Sequence, residues 1–132
     1  MILTESVNGG ETVNERFFSL PTEKQQAILN AGYRVFSRNS YKNSPMSEIA
    51  ESAGISKSLL FHYFRNKKEL YMFLWNNCAG ITVEYLKKYN CYEQKNLFDC
   101  MELGMRAKME IIRKYPDMAR FTIKAFYEKD TE

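Results

Sequence analysis

The chain has 132 residues, of which 45% are hydrophobic and 27% charged, and its 19 Lys and Arg residues against 16 Asp and Glu residues give a formal charge of +3. This balance is typical of one globular domain and excludes disorder as the main state. No apolar run approaches the ~18 residues that a membrane-spanning helix needs, and the first residues do not form a secretory signal. We therefore expect a cytoplasmic protein with no membrane partner.

The positive charge is concentrated in the N-terminal half. Residues 1–15 carry three glutamates and no base, residues 16–70 carry nine bases against four acids, and residues 71–132 carry ten bases against nine acids. A basic segment suits a polyanionic partner such as nucleic acid, although a basic solvated surface has the same composition.

The first helical signal follows a polar N-terminal segment. Residues 1–15 are interrupted by Asn8-Gly9-Gly10 and predict a mobile tail. The apolar sequence Arg16-Phe17-Phe18 is expected to dock on the domain. Thr22 and Gln25 have the spacing of a capping box, and apolar residues then recur with the helical period, which predicts a helix over about 22–38.

Two short helices follow with a tight connection. Ser44-Pro45 supplies a capping hydroxyl and a proline for the first turn, which predicts a helix over about 45–52. Gly54 can take the left-handed conformation that ends this helix, and Ser56 begins the next one. Two short helices joined this closely form a helix-turn-helix.

The remainder of the chain also reads as helical. Asn66 and Glu69 repeat the capping-box spacing before a long helix over about 67–88. A further helix is predicted over about 93–115, and a last one over about 117–129, after the break at Pro116. Leu97, Met101, Met105, Ile111 and Ile112 are the expected core of the helix over 93–115. No alternating pattern of useful length occurs, so the predicted fold class is all-α.

The helix that begins at Ser56 has more apolar residues than it can bury. At about 100° per residue, Leu60 and Phe64 share the side that packs on the preceding helices, whereas Ser58 and His62 fall opposite. The flanks carry Leu59, Phe61 and Tyr63, and a helix this short leaves part of them exposed. Such a mixed surface fits a DNA major groove, where apolar groups meet thymine methyls and polar groups meet base edges or phosphates.

Several spaced segments now match a known family in order. They are Ile28 to Phe36, Tyr41, Ser44 to Ala50, Ala53 to Lys57, Leu60 to Phe64 and Lys67 to Leu70. Together they resemble the N-terminal domain of TetR-family transcriptional regulators, over roughly residues 20–74. The match is specific because it includes the aromatic-rich end of the third helix and the lysine that follows it.

The resemblance implies which residues contact double-stranded DNA. In the family these residues lie at the start of the second helix and on the exposed face of the third, and here they are Ser44, Ser47, Ser56, Lys57, Ser58, Leu59, Phe61, His62 and Tyr63. Lys67 matches a phosphate-contacting position. Three residues depart from the family pattern: Ser40 replaces a common glycine, Leu59 a small polar residue, and Phe61 a tyrosine.

The resemblance also implies a division of the chain. We expect a tail over 1–15, a helix-turn-helix DNA-binding domain over 16–66, and a partial C-terminal region for effector binding and dimerisation over 67–132. Family members usually continue for several more helices, the last two of which pair with a second subunit. This chain stops at Glu132, so we expect either a truncated C-terminal region or dimerisation through another surface.

The family's C-terminal helices enclose an apolar pocket for a small molecule. Trp75, Met101, Met105 and Phe121 are the candidates for it here, because Met side chains adapt to varied ligands. Aromatic residues and methionines at helical spacing also occur in a plain core, so both interpretations stay open.

The sequence therefore predicts a DNA-binding transcriptional regulator. We expect a ligand-responsive repressor that binds a palindromic operator as a homodimer and takes a small apolar effector. The alternative is a helical protein-interaction module, or a truncated regulator that acts through partner proteins. An enzyme is not indicated, because no nucleophile with a base, carboxylate pair, phosphate-binding glycine loop or metal cluster can be assembled. The three cysteines form no C-x-x-C pair and do not lie near His62, so we expect no metal and no cofactor.

Overall fold

The computed structural model describes residues 15–128, and every regular element in that range is helical. The helices are α1 (Glu15–Phe18), α2 (Thr22–Arg38), α3 (Met46–Ala53), α4 (Lys57–Tyr63), α5 (Lys67–Lys88), α6 (Leu97–Lys114) and α7 (Pro116–Tyr127), with a 3₁₀ turn (Cys91–Glu93) before α6. The predicted all-α class is confirmed. The tail predicted over residues 1–15 lies outside the described residues, apart from Glu15 at the start of α1.

The bounds of α2 are those predicted, but its capping box was predicted wrongly. Pro21 occupies the N-cap position, and no side chain caps the helix. A proline has no N–H to donate, so the reciprocal bond of a capping box cannot form. The amide of Gln25 instead donates to the carbonyls of Phe18 and Leu20, at 3.0 and 2.8 Å. Gln25 therefore ties α2 to the chain that precedes it.

The helix-turn-helix forms as predicted, with one change at the start of α3. The N-cap is Pro45, whereas the hydroxyl of Ser44 is buried and donates to the carbonyl of Ser40 at 2.8 Å. The predicted Ser44 cap is therefore wrong, because its hydroxyl is used to close the preceding turn. Gly54 ends α3 with φ +74°, and the next amide donates to the carbonyl of Ala50, which is the Schellman arrangement.

The start of α6 was predicted four residues too early. The chain leaves α5 through Asn90, which is left-handed at φ 55°, and then makes the 3₁₀ turn. Asn96 begins α6, with its side-chain oxygen accepting from the amide of Phe98 at 2.8 Å. The sequence signal for the true start was therefore an asparagine cap inside the segment that had been assigned to the helix. The long helix α5 keeps its predicted bounds, and Asn66 caps it by accepting from the amide of Glu69.

One hydrophobic core joins the helix-turn-helix to the C-terminal helices. Helix α2 packs against α3, α5 and α7, and α6 packs against α5 and α7. The rings of Phe36, Tyr71 and Phe121 come from α2, α5 and α7. The centroid of the Tyr71 ring lies 5.0 Å from that of Phe36 and 5.1 Å from that of Phe121. Such edge-on aromatic contacts add about 0.5–1.5 kcal/mol per pair to the area they bury. The core is thus continuous across the predicted boundary at residue 66, and the division by function stays a prediction.

Helix α1 docks on this core through its two aromatic residues, Phe17 and Phe18, as predicted for the Arg16-Phe17-Phe18 segment. Phe17 is fully buried, and its ring lies 5.1 Å from that of Phe64 and 6.2 Å from that of Tyr63. It also meets Phe73 of α5 at 5.5 Å. The contact holds α1 against the end of α4.

The apolar stripe of α6 lies mostly at the surface, which corrects the predicted core. Only Ala107 and Ile111 of this helix are buried. Four of the expected core residues are 45–69% exposed: Leu97, Met101, Met105 and Ile112. The helical period shows that residues share one side of a helix, but it does not show that another element covers that side.

The described residues include no unusual covalent or membrane feature. None of their helices is long and apolar enough to cross a membrane, and they contain no group of side chains suited to a metal ion. Cys78 and Cys91 are buried free thiols, and Cys100 is half-buried.

Two glycine substitutions test the turn between α3 and α4. Gly54→Ala is expected to lower the free energy of unfolding by about 1–2 kcal/mol, because an L side chain is strained in the left-handed conformation. Gly104→Ala is the matched control: its new Cβ would come no closer than 3.9 Å to Leu86. In the middle of α6 it is expected to raise stability by about 0.5–1 kcal/mol. Urea unfolding measures both, and effects of the same sign would contradict the assigned turn.

Candidate nucleic-acid interface

Helix α4 presents a polar and partly apolar surface beside the buried side that fixes it. Leu60 and the following Phe64 are fully buried, as predicted. On the outside Lys57, Ser58 and His62 are exposed. The exposed side also carries two apolar side chains, Leu59 at 37% and Phe61 at 38% exposure. The structure therefore brings these five predicted site residues together on one accessible helix surface.

Two predicted serines lie at helix starts beside this surface. The hydroxyl of Ser56 caps α4 by accepting from the amide of Leu59 at 3.1 Å. Ser47 is exposed in the first turn of α3. The first amides of both helices carry the positive end of the helix dipole, which favours a nearby anion.

Two predicted contacts are limited by burial. Ser44 is 0% exposed and its hydroxyl is bonded to Ser40, so its side chain does not reach the interface and that prediction is corrected. Tyr63 is 8% exposed, with its ring packed near Phe17 and His62. Any contact made by Tyr63 is therefore restricted to this small exposed part.

The side chain of Lys67 makes a contact within the fold in addition to lying at the edge of this surface. Its ammonium donates to the carbonyl of Tyr41 at 2.7 Å and lies 4.4 Å from the centre of the Tyr41 ring. Tyr41 belongs to the loop between α2 and α3, so Lys67 anchors that loop to the start of α5. The next residue, Lys68, is exposed and supplies a positive charge at the same helix end.

Sequence reasoning missed Arg16 as a candidate site residue. Docking of Phe17 places the Arg16 guanidinium at 2.6 Å from Nε2 of His62. For this hydrogen bond the guanidinium donates and the imidazole nitrogen accepts. The signal in the sequence was a base next to the apolar residue that docks α1, but nothing in the sequence showed that docking would bring it to α4.

Lysine also borders the apolar part of the surface. The Lys57 ammonium lies 5.9 Å from the centre of the Phe61 ring. Arg65, after the end of α4, is exposed and lies 3.7 Å from a carboxylate oxygen of Glu69. Positive groups thus border α4 at both ends, and the described surface alternates basic, hydroxyl and apolar groups.

Comparison with known proteins assigns this architecture to a family. The model of the family described as bacterial regulatory proteins, tetR family, matches residues 28–72, which include α3, α4 and the start of α5. Its helix-turn-helix region is of the TetR-family type. The resemblance predicted from the sequence is therefore confirmed.

Similar proteins match a longer part of this chain. The HTH-type transcriptional regulator RutR of Escherichia coli K12 is 32% identical over 97 residues, which cover 74% of this chain and 45% of RutR. The HTH-type transcriptional regulator AcrR of Shigella flexneri is 28% identical over 71 residues, covering 51% of this chain and 33% of AcrR. The chain therefore spans less than half the length of these relatives.

A solved structure shows the same fold. The crystal structure of a TetR family transcriptional regulator from Chloroflexus aurantiacus matches with a TM-score of 0.77 and 25% identity. The match covers 88% of this chain and 54% of that chain. The agreement extends beyond the helix-turn-helix into the C-terminal helices.

The four residues expected to line an apolar effector pocket have different surroundings. Phe121 is sealed in the core against Tyr33 and Tyr71. Met101 and Met105 are at least 60% exposed on α6. Trp75 packs edge-on against Phe126. Within residues 15–128 these four do not line one enclosed pocket, because α6 turns its methionines away from the core that holds Phe121.

The double role of Lys67 separates it from its neighbour in a stability measurement. Lys67→Ala is expected to lower the free energy of unfolding by about 1.5–3 kcal/mol, since it removes a hydrogen bond from a charged group to the Tyr41 carbonyl. Lys68→Ala, on the exposed side, is expected to change it by less than ~0.5 kcal/mol. Urea unfolding of both variants checks this, and equal small effects would contradict the Lys67–Tyr41 contact.

Proposed function

We propose that this chain binds duplex DNA by placing α4 in the major groove. The observation that carries the proposal is the exposed surface of α4, where Lys57, Ser58, Leu59, Phe61 and His62 are all accessible while Leu60 is buried. An α-helix fits the major groove, and side chains of this mixture can read base edges there. The match of the family to residues 28–72 supports the same interpretation.

Base recognition is assigned to the middle of α4. The hydroxyl of Ser58 can donate to or accept from a base edge, and the imidazole of His62 offers a further polar group. Leu59 has no hydrogen-bonding group, so it suits contact with a thymine methyl. Phe61 likewise makes an apolar contact in place of the phosphate bond that a tyrosine hydroxyl would make.

Backbone recognition is assigned to the residues at the edges of α4. Lys57 and Lys68 are exposed, and their ammonium groups can neutralise phosphates on either side of the groove. Arg16 lies against His62 and is added to this set. Lys67 keeps its contact with Tyr41, and its two remaining N–H groups are available to a phosphate. Ser47 and the helix starts complete the phosphate contacts.

The wider proposal is a ligand-responsive repressor. We assign DNA reading to residues 16–66 and effector binding and dimerisation to residues 67–132. Two copies related by a two-fold axis would read half-sites about 34–36 Å apart, or a multiple of that distance. A ligand that binds more tightly to the dimer conformation with one separation of the two α4 helices would change the affinity of the dimer for its operator. Occupancy of the operator excludes other proteins from that duplex, which favours repression.

The test begins with selection from random DNA duplexes at near-physiological salt, with the molar mass recorded on the same sample. A dimer is expected to recover a palindrome, and a monomer a single half-site. Lys57→Ala and Lys68→Ala should each reduce the slope of log affinity against log salt by about 1. Lys108→Ala, an exposed lysine of α6, is the matched control and should leave the slope unchanged.

A separate variant tests base recognition by α4. Leu59→Ala should weaken binding to the selected site by about 1–3 kcal/mol if Leu59 meets a thymine methyl, with little change on unrelated DNA. No enrichment of any sequence, together with equal salt slopes for all the lysine variants, would overturn the proposal.

A second candidate, interaction with a protein partner, is favoured by the apolar surface of α6 and α7. Met101, Met105, Ile123 and Phe126 are 60–74% exposed. Exposed apolar patches of this kind mark interaction surfaces in many proteins. Such an interface would also serve a homodimer, so the two candidates are compatible.

Salt and one charge substitution separate this interface from DNA binding. An apolar association persists as ionic strength rises, whereas phosphate contacts weaken. Met105→Glu should reduce self-association in sedimentation by at least tenfold, because it would bury a charge in the contact. Arg113→Gln lowers the charge by the same one unit on another side of α6 and should have a smaller effect. Equal effects of the two substitutions would argue against the α6 surface.

A further inference from the structure

A cavity of about 470 Å³ lies where the helix-turn-helix meets the C-terminal helices. Its walls come from α2, from the middle of α5 and from the corner between α6 and α7. This volume is within the ~300–1,000 Å³ usual for small-molecule sites. None of the predicted site residues line it, and it is separate from the exposed surface of α4.

The floor of the cavity is buried and hydrogen-bonded. Tyr33 and Asn77 are both more than nine-tenths buried, and the Asn77 amide donates to the Tyr33 oxygen at 2.7 Å. The Tyr33 hydroxyl in turn donates to the carbonyl of Leu74 at 3.1 Å. Ile81 and Met118 add apolar surface. The floor is therefore rigid, with polar atoms at fixed positions beside an apolar area.

Two cationic side chains lie in the walls. Arg34 comes from α2, and Lys114 comes from the end of α6. The start of α7 also lies here, and no side chain caps it. Its first-turn amides therefore have no acceptor within the helix, and they add the positive end of a helix dipole.

The titratable groups that face the cavity leave a positive balance. Asp117 is the acid among the lining residues, and it lies 3.8 Å from the Arg120 guanidinium on its own helix. Burial raises the pKa of Tyr33 and of Tyr115, so both phenols are neutral at ordinary pH. Hydrogen bonding to Tyr85 raises the pKa of Lys114, which keeps its ammonium charged. Two cations thus oppose one carboxylate.

We propose that this cavity binds a small organic carboxylate, with the anionic group held between Arg34, Lys114 and the start of α7. The body of the ligand lies on Ile81 and Met118. Asn30, on the α2 wall, and Asn77 hydrogen-bond to its polar atoms.

Arg34 connects this site to the helix-turn-helix. Its guanidinium donates to the hydroxyl of Ser52 in α3 at 2.7 Å. A carboxylate that binds Arg34 competes with or reorients this bond, and so acts on the helix that precedes α4. The role of the ligand as an effector rests on the proposed DNA-binding function, whereas its binding in the cavity does not.

The experiment is an NMR titration of the ¹⁵N-labelled 132-residue chain with benzoate, and with benzamide as the neutral analogue of similar shape. Benzoate is expected to shift the amide signals of Asp117 and Met118 and those around Arg34, and to bind about twofold to fivefold more tightly than benzamide. Equal affinity of the two probes, or shifts confined to other parts of the chain, would overturn the proposal.

Three variants and one control test which charged side chains act on bound benzoate. Arg34→Gln and Lys114→Gln should each weaken benzoate binding by about twofold to fivefold and leave benzamide binding unchanged. Asp117→Asn should strengthen benzoate binding, because it removes a like charge, and this gain cannot come from misfolding. Lys108→Gln, on α6 outside the cavity, should change neither probe. Unaltered benzoate affinity in Asp117→Asn and Lys114→Gln together would overturn the site.

DNA-free titration keeps the two proposals distinguishable. Benzoate binding without any DNA affinity would support the site and remove its effector role. DNA binding by a chain whose cavity does not bind benzoate would support the proposed function and contradict the carboxylate site.

Discussion

The buried contact between the rings of α2, α5 and α7 is the constraint on which the other features depend. Phe36, Tyr71 and Phe121 meet at centroid distances of 5.0 and 5.1 Å, and the contact fixes the long helix α5 against the helix-turn-helix. Burial, and then the negative charge of Glu128, raise the pKa of Tyr71 to about 12, so its phenol is neutral inside this core. A charged or displaced ring here would separate the two halves of the molecule.

The loop before α3 is bound from both sides by this arrangement. The amide of Tyr41 donates to a carboxylate oxygen of Glu128 at 2.8 Å, and its carbonyl accepts from Lys67 at 2.7 Å. The residue after α7 and the first residue of α5 are therefore joined through the backbone of one residue. A shift of either helix would move the loop that leads into α3, and with it the position of α4.

The surface of α4 follows from the limits of a short helix. Seven residues provide only one buried side, which Leu60 occupies together with the adjoining Phe64. Within residues 15–128, Leu59 and Phe61 stay partly exposed on the flanks of this helix. The apolar exposure that would be costly in an isolated domain becomes useful when the helix meets a partner with its own apolar groups, such as thymine methyls.

The sequence by itself determined which segments are helical, the helix-turn-helix and the resemblance to TetR-family regulators, because helical period and the left-handed Gly54 are local properties of the chain. It placed the caps of α4 and α5 correctly, but not those of α2 and α3 or the start of α6. It also identified most of the exposed residues of α4. Only the tertiary structure showed that Ser44 is buried, that Lys67 anchors Tyr41 and that Arg16 reaches His62. The last two contacts join residues 26 and 46 positions apart in the chain, and burial depends on which elements pack over a residue. The apolar stripe of α6 was predicted to be core because periodicity shows only that these side chains share one side of the helix. Packing between helices decides whether that side is covered.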